Sequence, residues 1–318
     1  MFLKYFFAFI FLLFLFVFSL FVGVSDFDLF GAWADEGDQQ LILLASRLPR
    51  SFAVVLTGSA LAIVGAIMQM IAHNKFVEPT TAGTMDSAAL GILVATIFIP
   101  TSSLMIKMLI ATVFALVGSW VFLRILRRLP VTNPLLVPLV GIMLGGIIGA
   151  VANFIAYETD LIQYLTVWMH GDFSGILRGR YEMLWLTFGL SLCAYFIADQ
   201  LTIVGMGKDM AVNLGLNYRT IVSLGLIIVA MVTAIIVATV GMIPFIGLII
   251  PNIVNRFMGD NLRHALPVIA YIGACFTLIC DIFGRLIIYP YEVPIAAIIG
   301  VIGAAVFIYL LLRRDVHA

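Results

Sequence analysis

Gly205-Met206-Gly207-Lys208-Asp209-Met210-Ala211-Val212-Asn213-Leu214-Gly215-Leu216-Asn217-Tyr218-Arg219 is a polar island between two long apolar runs, Met183 to Val204 and Thr220 to Val240. Apolar runs of about 20 residues cross a bilayer as helices, so the island is held at a membrane surface. With Lys208 to Leu214 helical, Met210, Ala211 and Leu214 share one face, Asp209 sits in the positively biased first turn, and Gly215 can end the helix. Two readings stand for such a segment: a surface offered to something outside the bilayer, or an ordinary amphipathic membrane loop.

Composition decides the class around it. Hydrophobic residues make up 63% of the 318, charged residues only 11%, and the mean hydropathy is +1.17. Soluble globules hold about 45–50% apolar residues, so this is a polytopic membrane protein. The formal net charge of zero gives no overall attraction to nucleic acid. Cys193, Cys275 and Cys280 all fall inside apolar runs without Cys-x-x-Cys or Cys/His metal spacing, so they read as packing residues.

Ten apolar segments are long enough to count as spans: 3–24, 51–72, 84–100, 103–126, 134–157, 183–203, 220–243, 244–258, 265–284 and 293–312. The first is too long for a signal-peptide core and lacks a small-x-small cleavage site, so it reads as a retained span. With the N-terminus inside, the cytosolic basic residues are Lys4, Lys75, Arg124, Arg127, Arg128, Lys208, Arg219, Arg256, Arg263, Arg313 and Arg314. The external ones are Arg47, Arg50, Lys107, Arg178, Arg180 and Arg285. That excess on the inside places both termini and the 205–219 segment in the cytosol. The chain is read as one transmembrane domain over 1–318, with an external loop over 25–50 and a cytosolic coupling segment over 205–219.

Other features allow several readings. Arg47-Leu48-Pro49-Arg50 opens the second span, and Pro49 suggests a fixed, non-helical entry. The second span carries Gly58, Ala60, Ala62, Gly65 and Ala66, which permit close helix packing. His73, Glu78 and Asp86 follow within fourteen residues, but one His without a second at helical spacing reads as a capping or interfacial residue rather than a metal ligand. Gly141, Gly145 and Gly149 form a Gly-x-x-x-Gly face that either seats another helix or leaves room beside Asn153 for a bulky cargo.

Several of these strings, in order, resemble the FecCD family of permease subunits from ABC importers for iron–siderophore complexes, haem and cobalamin. They are Arg47-Leu-Pro-Arg50, the small-residue run of the second span, and Asn74, Glu78, Pro79 and Gly83, with Lys75-Phe76-Val77 where the family has Pro-Leu-Ala. Trp168-Met-His-Gly-Asp-Phe follows the fifth span, and Met206-Gly207 through Leu214-Gly215 stands where the family reads Leu-Gly-Glu-Glu-x-Ala-x-x-Leu-Gly, with Lys208 replacing one acid. Gly241-Met-Ile-Pro-Phe-Ile-Gly-Leu-Ile-Ile-Pro251-Asn252, Asp281-x3-Arg285, Glu292-Val-Pro294 and Gly300-x2-Gly303 complete the series.

The resemblance implies an all-α fold of about ten transmembrane helices, both termini cytosolic, like the permease of the vitamin B12 importer. It implies that Lys208, Asp209, Met210, Ala211, Leu214 and Gly215 couple to a cytosolic ABC ATPase. Arg47, Arg50 and Arg285 would dock an extracellular or periplasmic substrate-binding protein, and Gly141, Gly145, Gly149 and Asn153 would help line the path. The implied setting is the bacterial cytoplasmic membrane and its lipid, with a second permease copy or paralogue completing the pore and a ferric siderophore as cargo.

No Gly-x4-Gly-Lys-(Ser/Thr) occurs, so ATP with its Mg²⁺ would be bound and hydrolysed by the separate ATPase and no cofactor by this chain. Cobalamin or haem are alternative cargoes. An ion-coupled carrier would need intramembrane acids, and only Asp86, Asp199 and Asp281 approach the hydrocarbon, each near a span end. Four scattered His argue against a membrane-embedded enzyme.

Overall fold

The computed structural model of the chain describes residues 2–23, 37–126, 128 and 136–312. The acidic stretch through Asp35 and Glu36, together with Arg127, Arg313 and Arg314, lies outside them. The helices are α1 (Phe2–Phe21), α2 (Gly37–Ile42), α3 (Leu48–Ile71), α4 (Thr84–Phe98), α5 (Leu104–Leu126), α6 (Leu136–Glu158) and α7 (Ile162–Met169). They continue with α8 (Trp185–Phe196), α9 (Ala198–Gly205), α10 (Lys208–Asn213), α11 (Tyr218–Thr239), α12 (Ile246–Met258), α13 (Leu262–Leu286) and α14 (Ile295–Leu312).

Gln40–Ile71, α5, α6, α11 and α13 are each long and apolar enough to cross a membrane, and Tyr181–Phe196 with Ala198–Gly205 is so only when the two are taken together across a bend of 64°. Shorter apolar helices lie at Phe6–Phe21, α4, α12 and Ile295–Tyr309. These account for the ten segments read from the sequence.

The bundle is organised around α3, whose most apolar window is 83% buried. Its small residues permit this. A Cβ added at Gly58 would fall 2.5 Å from the Gly273 carbonyl of α13, and one at Gly65 would fall 2.1 Å from the Gly247 carbonyl of α12. The helix axes approach as closely as bare backbones allow, which in lipid supplies dispersion contacts that a hydrophobic effect between helices cannot. Ala53, Val54, Ala62, Val64, Ile67 and Met68 are fully enclosed.

Two prolines show how the backbone is satisfied where a helix bond is lost. Pro251 lies inside α12 and has no N–H for the Gly247 carbonyl, so the buried Gln69 amide of α3 donates to that oxygen at 3.2 Å. Pro49 likewise leaves the Ala45 carbonyl without its usual partner. The Arg178 backbone N–H takes its place at 3.0 Å.

That second repair corrects one expectation. The Arg47–Arg50 entry is helical: α2 runs through one π turn, Leu43–Arg47, directly into α3. The loop expected over 25–50 therefore ends by Gly37. The wide turn and the Arg178 donor together remove the two obstacles that Pro49 sets to a continuous helix.

Candidate functional site

At the cytosolic end, α9 stops at Gly205 and α10 begins after Gly207, whose φ of 112° turns the chain. The His73 ring nitrogen lies 3.2 Å from the Gly205 carbonyl, tying this turn to the end of α3. Lys208, Asp209 and Gly215 are exposed, and so are four large apolar side chains: Met206, Met210, Val212 and Leu214. Ala211 is the exception, fully buried at 0%. The expected shared face of Met210, Ala211 and Leu214 is thus divided. A helix of only six residues is fixed by its attachment rather than its periodicity, and the one small side chain turns inward while the larger ones stand outward. Val212 and Met206 were not singled out by the sequence, because apolar spacing alone does not tell which side of so short a helix meets the bundle.

The external end is arranged in the opposite way. Arg50 donates to Glu292 through Nη1 at 2.8 Å and to Asp281 through Nη2 at 2.8 Å. Arg285 pairs with Asp281 at 2.6 Å and donates to the Ser19 carbonyl and the Ser19 hydroxyl of α1, at 2.9 and 2.7 Å. Arg47 is buried and donates to the Leu20 carbonyl. One buried and one half-buried guanidinium group, with two carboxylates, make a neutral cluster that joins α1, α3, α13 and the turn before α14. In low dielectric such a set is stable only when each charge is partnered, which is the case here. The three arginines lie near one another at this end of the bundle. They do not offer free guanidinium groups there: Arg47, Arg50 and Arg285 are turned into the chain. Asp281, one of the three acids weighed for ion coupling, is taken up by this cluster.

Along α6, Gly141 and Gly145 are buried against the connector that precedes α4. A Cβ at Gly141 would fall 1.8 Å from the Thr81 carbonyl, and one at Gly145 would fall 2.7 Å from a carboxylate oxygen of Asp86. Of the two readings of this glycine face, packing holds at these two positions, because the connector fills the space a side chain would need. Gly149 is half-buried, and Asn153 is exposed with its amide donating to the Gly149 carbonyl at 2.8 Å. The open face of α6 carries Ile142, Met143, Ile147 and Phe154, each more than half exposed. Only 22% of its most apolar window is buried, the least of the long spans.

A further node joins the same connector to α12. Glu78 is buried and accepts from the Phe245 backbone N–H at 2.8 Å and from the Thr80 hydroxyl. Phe245 has a φ of 67°, so the carboxylate caps a helix start held in a left-handed turn. The sequence showed Glu78 and the Phe245 motif but not that they meet. Near the outer surface, Gly171 and Asp172 of the Trp168 motif donate to Met242 and Val240 carbonyls at 2.9 and 3.0 Å, clipping that motif to the chain ahead of α12.

Among the described residues no group of three His, Cys, Asp or Glu side chains is placed to hold a metal ion. The three cysteines are free, with Cys275 and Cys280 buried and Cys193 exposed.

Comparison with known proteins bears on the chain as a whole. The chain is 49% identical over 315 residues to the petrobactin import system permease protein YclN of Bacillus subtilis, covering 98% of this chain and 99% of that one. It is 41% identical over 273 residues to the ferric-anguibactin transport system permease protein FatD of Vibrio anguillarum, covering 86% and 87%. A vitamin B12 import system permease protein of Serratia proteamaculans is 34% identical over 289 residues, covering 88% and 84%. Among solved structures, a metal-chelate type ABC transporter in an inward-facing conformation superposes with a TM-score of 0.79 at 24% identity, over 97% of this chain and 98% of that one, and shows the same fold. Residues 11–313 match the FecCD transport family, and the chain, a multi-pass membrane protein, belongs to that family.

Proposed function

We propose that this chain is the membrane-spanning permease subunit of an ABC importer that moves an iron(III)–siderophore complex across the bacterial cytoplasmic membrane. The observation that carries the reading is the end-to-end likeness to permeases named for petrobactin and ferric anguibactin. ATP is bound with Mg²⁺ and hydrolysed by a separate cytosolic ATPase. That subunit docks on α10 and its flanks, where Lys208, Asp209, Met210, Leu214 and Gly215 are exposed. Ala211 supports the surface from behind.

The open face of α6 supports a second permease, identical or paralogous, across a central path. A large bare apolar face is costly in an aqueous path and is satisfied by a facing helix or by a bulky cargo. Alternating access then follows from rocking one half against the other. The external binding protein docks at the rim formed by Arg47, Arg50 and Arg285. Because Arg50 and Arg285 are already paired inside the chain, carboxylates of that protein have to compete with Glu292 and Asp281, and docking involves an exchange of partners rather than capture by bare charge.

A vitamin B12 permease shares 34% identity, so cobalamin is the second reading of the cargo. Uptake of a radiolabelled ferric siderophore and of radiolabelled cobalamin, measured in proteoliposomes holding the permease, its ATPase and its binding protein, separates the two. Accumulation of the ferric chelate alone, dependent on ATP, is the expected result. Accumulation of cobalamin alone would overturn the cargo, and accumulation of neither would overturn the importer.

A further inference from the structure

Asp86 is a carboxylate set beside the middle of α6, a helix long and apolar enough to cross a membrane. It lies in the first turn of α4, and its oxygens face Gly145 and Gly149, the tenth and fourteenth of the 23 residues of α6. The connector before α4 thus enters the bundle to about half the depth of α6, and Asp86 sits there. Gly145 and Gly149 make the slot: a Cβ at Gly145 would lie 2.7 Å from Oδ2, and one at Gly149 would lie 3.7 Å from Oδ1. The side chain is half-exposed, and it forms no ion pair and no hydrogen bond to another described residue. By contrast Glu78, in the connector before α4, is enclosed and capped onto Phe245, and Asp281 is paired with two arginines.

Placement in the first helical turn accounts for Asp86 being tolerated, since the backbone N–H groups there favour negative charge. It does not account for a carboxylate aimed sideways across the seam to α6. Asn153, one turn further along α6, donates one amide N–H to the Gly149 carbonyl, which leaves its second N–H and its side-chain oxygen for other partners. The one charge offered along this stretch, among the described residues, is therefore the Asp86 carboxylate, which only accepts, with the Asn153 amide able to serve as either donor or acceptor. Ionisable groups inside a membrane are rare unless they are paired or line an aqueous route.

We infer that Asp86 and Asn153 form a cargo contact in the seam between α4 and α6 that selects for a positively charged or N–H-bearing group on the chelate and disfavours purely anionic ones. The inference rests on the reading of the α6 face as part of the path. Gly145 and Gly149 serve it by leaving room for the carboxylate rather than by touching cargo themselves.

The test uses a variant with Cys193, Cys275 and Cys280 replaced by Ala, assembled with its ATPase in proteoliposomes. Asn153→Cys reports the seam, and Ile147→Cys reports the open face of α6. Each is labelled with a cationic and with an anionic methanethiosulfonate of similar size. With Asp86 present, Asn153→Cys is expected to react about tenfold faster with the cationic reagent, as one nearby charge in a partly screened site would give. Asp86→Asn should abolish the preference, and Asp86→Glu, which keeps the charge and guards against a variant that merely misfolds, should retain it. Equal rates for the two reagents with Asp86 in place, while Ile147→Cys is labelled, overturn the cargo contact and leave the path reading standing. Failure of both cysteines to react overturns the path reading and this inference with it.

Discussion

At the external end of the bundle the half-buried Arg50 and the buried Arg285 are neutralised within the chain by Asp281 and Glu292, whereas at the cytosolic end Met206, Met210, Val212 and Leu214 stand exposed on and beside a helix of six residues. Under the proposed function both ends meet another protein, yet the first has its charges satisfied and the second leaves its apolar groups uncovered. The difference separates two kinds of docking. A satisfied polar cluster holds helices together first, and a partner gains only what it offers beyond the existing pairs. An uncovered apolar surface gains from any partner that removes it from water, about 25 cal/mol for each Å².

The largest effect expected from this contrast is at Asp281. Asp281→Ala leaves the buried Arg285 guanidinium without a carboxylate and Arg50 with Glu292 alone, and should lower stability by about 3 kcal/mol. The loss of monodisperse protein with temperature, followed by size-exclusion chromatography in detergent, measures it. An unchanged melting profile would mean that the cluster does not hold the external end together.

Next in size is Ala211→Asp at the other end. It places a carboxylate where Ala211 is fully enclosed and should cost about 1–3 kcal/mol, so α10 detaches rather than merely losing its partner. Protease cleavage between Gly205 and Tyr218, faster in the variant than in the parent, is the expected sign. Equal cleavage would show that this position faces outward after all. Glu292→Gln comes third, because Glu292 is 25% exposed and Arg50 keeps Asp281. A loss near 1 kcal/mol is expected by the same melting assay. The smallest is Lys75→Ala. Its pair with Asp260 is 61% and 55% exposed, and such pairs contribute about 0–1 kcal/mol, so melting and uptake should match the parent.

Much of this architecture is legible in the sequence because it depends on composition and local spacing. The ten apolar segments, the small residues of α3, and the position of the polar island all follow from runs and periods. Pairings across long separations do not. Arg50 lies 231 residues from Asp281 and 242 from Glu292, and no spacing rule joins them, although both acids stand in strings that were recognised. The sequence therefore groups the arginines at one end of the bundle without their internal partners. A similar limit applied to Gly141 and Gly145, where the small-residue signal for close packing and the signal for an open path are the same. Pro49 suggested a break because its lost hydrogen bond is visible in sequence, while the donor that replaces it, on Arg178, comes from a distant turn. Pro251 offered a signal that could have been used: an orphan carbonyl at Gly247 calls for a donor, and Gln69 is a buried amide in the neighbouring span.

The claim that the cytosolic segment is the uncovered docking surface is tested most directly by the affinity of the purified ATPase subunit for the permease in lipid nanodiscs. Met210→Glu combined with Leu214→Glu changes two exposed side chains and should leave the melting profile of the permease as it is. The account predicts that this pair weakens ATPase binding at least about tenfold, a loss of about 1.4 kcal/mol, while Glu292→Gln at the opposite end leaves it unchanged. Unchanged binding by the double variant, with the permease folded, would contradict it.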